Sequence, residues 1–105
     1  RHADLADAHN SPGLAPSVLE FLYDTDAALL VWDLMEDADA TQTTFPHPIH
    51  RIAIPRMGLP LLDNADLEAL AAACVEEQRV EFMFSVTPLV VVGGTGSPVN
   101  PIATF

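Results

Sequence analysis

The chain has 105 residues, half of them hydrophobic, with fifteen acidic against four basic residues and a formal net charge of -11. Four scattered arginines cannot neutralise a run of phosphates, which excludes a nucleic-acid face and disfavours an anionic membrane surface. The length allows one small domain, and no apolar run approaches the ~18 residues of a membrane span.

Cys74 is the single cysteine, so an internal disulfide and a cysteine-based zinc site are both excluded. It sits on the apolar face of an expected helix and reads as an inert buried thiol. A soluble, cytoplasmic setting is expected.

Residues 1–13 form an exposed, polar lead-in carrying His2 and His9, which read as solvated side chains, and a turn cluster at Asn10-Ser11-Pro12-Gly13. Pro16 suits the first turn of a short helix to Tyr23, with Val18, Leu19 and Leu22 on one side and Phe21 beside them. Ala27 to Trp32 is a continuous apolar run of strand length, the pattern of a strand covered on both faces. Asp33 at its end is placed either to cap a turn or to face a site.

Glu36 to Thr44 has no apolar period and reads as a polar loop, after which Phe45-Pro46-His47-Pro48 returns in extended backbone. Pro48 to Met57 follows neither period and contains Pro55, so an irregular helix capped by Gly58 is expected. Leu59 to Leu62 reads as a short buried strand leading into Asp63-Asn64.

Leu67, Leu70, Ala71, Cys74 and Val75 then recur at helical spacing, with Asn64 or Asp66 available as the N-cap and Glu76 and Glu77 opposing the dipole at the far end. Val80, Phe82, Phe84 and Val86 alternate with polar or exposed positions as a strand does, until Pro88 interrupts the ladder. Leu89 to Val92 reads as a buried strand that opens into Gly93-Gly94-Thr95-Gly96-Ser97-Pro98-Val99-Asn100-Pro101, followed by an extended tail to Phe105. The backbone amides of Gly94, Thr95, Gly96 and Ser97 either line a substrate pocket or simply form a turn. The loop lacks the lysine of a phosphate-binding P-loop.

The pattern is α/β, with too few strands to cover its own apolar faces, so another segment or chain is expected to complete the sheet. A start at Arg1 rather than methionine points the same way.

Taken together, Leu29 to Met35, His47-Pro48-Ile49-His50, Met57 to Asn64, Val80 to Met83, Pro88-Leu89 and Gly93 to Ala103 resemble, in that order, the C-terminal part of the cyclase family. The best-known branch of that family is bacterial kynurenine formamidase. The resemblance spans nearly everything from Gly13 onward. It implies a swivelling β/β/α-type fold, of which residues 14–105 would be an incomplete C-terminal part. It also implies a zinc- or manganese-dependent hydrolase opening a small amide, lactam, imide or lactone.

The family's main metal motif, HxGTHxD, is absent from this chain. The catalytic residues and most ligands are therefore expected in an N-terminal portion of the same polypeptide, present as a separate chain. A homo-oligomer of the assembled unit is the expected quaternary state. By order, His50 matches a family metal ligand and Asp63 matches a family glutamate, with spacing differing by about one residue. Read without the family, His50 is a structural or surface histidine and Asp63 part of a helix cap. A non-catalytic interaction domain and a biosynthetic cyclase are the alternatives to the hydrolase.

Overall fold

The computed structural model describes residues 13–36 and 47–105. The lead-in to Pro12, residues 37–44 of the expected loop, and Phe45 and Pro46 of the extended return lie outside the described residues. The chain is a small mixed α/β protein with, among the described residues, short helices and two two-stranded sheets. It divides into two units, Arg1–Asp66 and Leu67–Phe105.

In the first unit, α1 (Val18–Asp24) buries Leu22 and half-buries Val18 and Leu19, as the apolar spacing predicts, and leaves Phe21 exposed. Its last turn is closed by Thr25, whose hydroxyl donates to the Phe21 carbonyl at 2.7 Å. Of the apolar run from Ala27, only Leu30–Val31 is laddered, as β1. β1 pairs in parallel with β2 (Leu61–Leu62), in the register Leu30 to Leu61 and Val31 to Leu62.

The crossover between them is the irregular helix. α2 (Pro48–Ile52) runs directly into a π-turn over Ala53–Met57. Pro55 explains the wider turn: it has no N–H to donate, and its ring would press on the carbonyl four residues back in an α-register. Gly58 ends the segment at φ 67°, the left-handed position that favours glycine, and the Leu59 N–H reaches back to the Ala53 carbonyl at 2.9 Å.

Leu22, Trp32, Ile49, Ala53 and Leu59 form the buried core, with Leu30, Met57 and Leu61 packed around it. Ile49 is fully buried. Helix, crossover and strand pair thus share one apolar centre.

In the second unit, α3 (Glu68–Glu77) forms where the periodicity places a helix, but buries none of its residues. Cys74 is half-buried and Val75 is exposed, so the expected buried thiol is not fully enclosed. The N-cap position is taken by Leu67, which offers no side-chain cap, rather than by Asn64 or Asp66. Asn64 instead sits at φ 53° in the turn after β2.

β3 (Met83–Ser85) pairs antiparallel with β4 (Ile102–Thr104), so the extended tail is a strand and Phe84 faces Ala103. Phe82, Phe84 and Val86 are half-buried and their neighbours exposed, as the alternation predicts, but Val80 at its start is exposed. Phe82 and Phe105 lie 5.5 Å apart between ring centroids, with the Arg79 guanidinium 5.4 Å from the Phe105 centroid.

The expectation for Leu89 to Val92 is overturned: all four residues are exposed and none belongs to a strand. Apolar runs mark a buried strand only where something covers both faces, and β4 pairs with the segment before Pro88 instead.

Candidate functional site

The parallel register places the carboxyl ends of β1 and β2 side by side, and both chains stay zipped beyond the strands. Trp32 N–H donates to the Leu62 carbonyl at 3.1 Å, Ala65 N–H to the Trp32 carbonyl at 2.9 Å and Asn64 N–H to the Leu34 carbonyl at 3.0 Å. Trp32 and Asp63, each one residue past its strand, therefore lie next to each other. The carboxyl ends of parallel strands are where α/β folds commonly build their sites.

A buried tryptophan needs a partner for its one polar atom. Here the buried Trp32 donates Nε1–H to Asp63 Oδ1. The second Asp63 oxygen, Oδ2, lies 2.8 Å from His50 Nε2. Asp63 is thus no helix cap; it is fixed between an indole and an imidazole.

His50 stands in the first turn of α2. The first N–H groups of a helix have no carbonyl within the helix to accept them. Pro48 at the first position has no N–H, and the next two, of Ile49 and His50, are accepted by one carboxylate from far along the chain. Glu36 Oε1 accepts from Ile49 N–H at 2.7 Å, and Oε2 from His50 N–H at 2.9 Å. Oε2 also lies 2.8 Å from His50 Nδ1. The imidazole is held at both nitrogens by carboxylates, in the order Glu36, His50, Asp63.

Trp32 flanks the imidazole with ring centroids 6.2 Å apart, and His47 approaches it edge-on at 6.5 Å. His47 occupies the left-handed region at φ 51°, directly before Pro48, where it is the N-cap of α2 without a side-chain cap bond.

Burial acts to lower the pKa of His50, but the hydrogen bonds and negative charges of Asp63 and Glu36 outweigh it. The net effect raises the pKa above the ordinary 6.5. The ring is thereby a cation held between two anions over a wider pH range than a free histidine.

Of the residues singled out from sequence, His50 and Asp63 meet. Asp33 is exposed. Gly94 to Ser97 belong to the other unit, where their polar groups serve the turn itself. Gly94 N–H donates to the Val91 carbonyl at 3.0 Å, and Ser97 Oγ accepts from Leu89 N–H at 3.0 Å. Gly93 at φ 76° makes the reversal, and a Cβ on Gly94 would meet Val91 at 3.1 Å. Of the four backbone amides expected to line a pocket or form a turn, that of Gly94 is thus engaged within the turn.

Two members of the constellation escaped the sequence reading. Glu36 falls at the start of a segment that reads as loop, yet it is the buried carboxylate of the site. Its partner lies fourteen residues on, beyond any helical or strand period. Trp32 reads as apolar strand; the signal was its N–H, which demanded an acceptor.

As a metal site, the residues fit in part. An imidazole nitrogen and a carboxylate oxygen are donors that zinc and manganese accept, and Nε2 and Oδ2 converge on one point. Their 2.8 Å separation is that of a hydrogen bond; two tetrahedral ligands of zinc lie roughly 3.3 Å apart, a change of a few tenths of an ångström. Glu36 and Trp32 already hold the far sides of both donors, as supported metal ligands require. Among the described residues no cluster of three or more histidine, cysteine, aspartate or glutamate side chains is arranged to hold a metal ion, so this pair supplies two donors and not a full set.

No family model, curated protein or solved structure matches the chain. Among the described residues, no helix is long and apolar enough to cross a membrane.

Proposed function

We propose that this chain is a segment of a metal-dependent hydrolase of the cyclase type, with His50 and Asp63 as its contribution to the metal site. The observation that carries the reading is the supported pair: His50 Nε2 and Asp63 Oδ2 converge at 2.8 Å, while Glu36 and Trp32 hold the opposite edge of each side chain. An ordinary surface ion pair has no reason to be fixed on both outer sides. Among the described residues, the hydrogen-bonded groups here are an imidazole, an indole and two carboxylates, and imidazole and carboxylate are donors that zinc and manganese accept.

Bound by these and further ligands, zinc or manganese would supply Lewis acidity, polarising a substrate carbonyl and bringing water towards its conjugate base near neutral pH. The chain's own residues have simpler tasks. His50 offers Nε2. Asp63 offers Oδ2 and adds negative charge. Trp32 holds the carboxylate in place, and Glu36 orients the ring.

The remaining ligands and the general acid or base come, on this reading, from an N-terminal portion carrying HxGTHxD, and the whole adopts a swivelling β/β/α fold. The substrate class is a small amide, lactam, imide, lactone or formamide. The reading rests on the Arg1–Asp66 unit alone.

The test is elemental analysis of this chain assembled with its upstream segment. The expected result is zinc or manganese in the assembled protein, lost in His50→Ala and Asp63→Ala, with the 105-residue chain alone metal-poor and inactive. Absence of both metals from the assembly, or an upstream sequence without HxGTHxD, would overturn it. The exposed run Leu89 to Val92 favours a second reading, a non-catalytic interaction module, which the metal-free outcome would support.

A further inference from the structure

We propose that Glu36 is a positioning residue that holds neutral His50 as the Nδ1–H tautomer, leaving the Nε2 lone pair facing Asp63. The inference deepens the metal-site reading and rests on it for its purpose, though not for its test.

A neutral imidazole carries one ring proton, whereas here each ring nitrogen faces a carboxylate oxygen at 2.8 Å. When the ring is neutral, one carboxylate loses its donor. Exposure decides which one. The Glu36 side chain is 6% exposed and that of Asp63 is 25% exposed. An Asp63 oxygen deprived of the ring proton turns to water. A Glu36 oxygen so deprived faces a nitrogen lone pair with little access to solvent, which is the costly arrangement.

The backbone strengthens the asymmetry. Glu36 accepts from the consecutive N–H groups of Ile49 and His50 as well as from the ring, so the carboxylate cannot swing away to relieve the clash. Asp63 is tied through Trp32 on its other oxygen. The ring proton therefore stays on Nδ1. Glu36 thus fixes both the orientation of the ring, relative to the helix that bears it, and the identity of the atom that remains free to bind. A metal-ligating histidine is commonly set in this way by the hydrogen bond at its other nitrogen.

Long-range proton–nitrogen NMR of the 105-residue chain in metal-free alkaline buffer reads the tautomer directly. A protonated Nδ1 with a pyridine-type Nε2 is expected, and the reverse pattern overturns the proposal. In Glu36→Gln, one oxygen acceptor is replaced by an amide donor, so folded protein is expected to lose the pure Nδ1–H signature. An unchanged signature in folded Glu36→Gln overturns the proposal as well. Asp63→Asn is the comparison and keeps Nδ1–H, because its amide donates to Nε2. If Glu36→Gln does not fold, the wild-type spectrum still decides. In the assembled protein, Glu36→Gln is expected to weaken zinc binding by about 10–100-fold. Finding Nδ1–H in a protein whose assembly holds no metal would defeat the functional reading and leave the role of Glu36 standing.

Discussion

Replacing Asp63 by asparagine changes almost no volume, yet its cost depends on pH in a direction the site dictates. Burial lowers the His50 pKa, while Asp63 and Glu36 together raise it above 6.5. A group with a raised folded-state pKa contributes stability that is fully present below its unfolded value and is lost as pH rises through the folded one. The Asp63 carboxylate is therefore most valuable in a window just below pH 6.5, where the ring is charged.

In that window Asp63→Asn cannot satisfy both neighbours. Trp32 Nε1–H and protonated His50 Nε2–H are two donors facing one oxygen and one amide, so one donor is left against another. Exchanging a charge-assisted hydrogen bond for that arrangement costs about 1.5–3 kcal/mol. In alkaline buffer the neutral ring accepts from the amide at Nε2 and every partner is met, so the cost falls to roughly 0.5 kcal/mol. The difference, about 1–2.5 kcal/mol, corresponds to a shift in urea midpoint of about 1 M for a slope of about 1–2 kcal/mol/M. Trp32 is the only tryptophan and lies in this unit, so its fluorescence reports the transition. An equal cost at both pH values, or a larger one in alkali, would refute the reasoning.

Three further outcomes are expected. Ile49→Ala removes a fully buried side chain from the residue that also donates to Glu36, and should cost about 2–5 kcal/mol by urea titration; a loss under 1 kcal/mol would mean that the crossover helix is not anchored there. Gly93→Ala forces a Cβ into φ 76° and should cost about 1 kcal/mol in the Leu67–Phe105 unit, measured by hydrogen exchange of the β3–β4 pair. Val90→Ser should leave the stability of the chain within ~0.5 kcal/mol, because Val90 is 100% exposed; a larger loss would show that the run is covered after all.

Much of the local structure was legible. Helical spacing around Leu22 and Leu67, the alternation through Phe82 and Phe84, the irregular segment broken by Pro55 and the glycine cap at position 58 are local preferences, which tertiary packing left in place. Burial was less so. The continuous run Leu89 to Val92 carries the same pattern as Leu29 to Trp32, but only the latter found a parallel partner and a core to enter. The pattern states that a segment needs cover, and cannot state whether cover exists.

The site divides along the same line. The resemblance singled out His50 and Asp63; their residue types alone read as a structural or surface histidine and part of a helix cap. Glu36 and Trp32 became part of it only in three dimensions. The pairing of Val31 with Leu62 carries Trp32 to Asp63, and the unsatisfied first turn of α2 draws in a carboxylate from the far side of residues 37–46. Residue types can be read from a string. The hold on those residues is a set of distances, and distances between residues far apart in sequence exist only once the chain has folded.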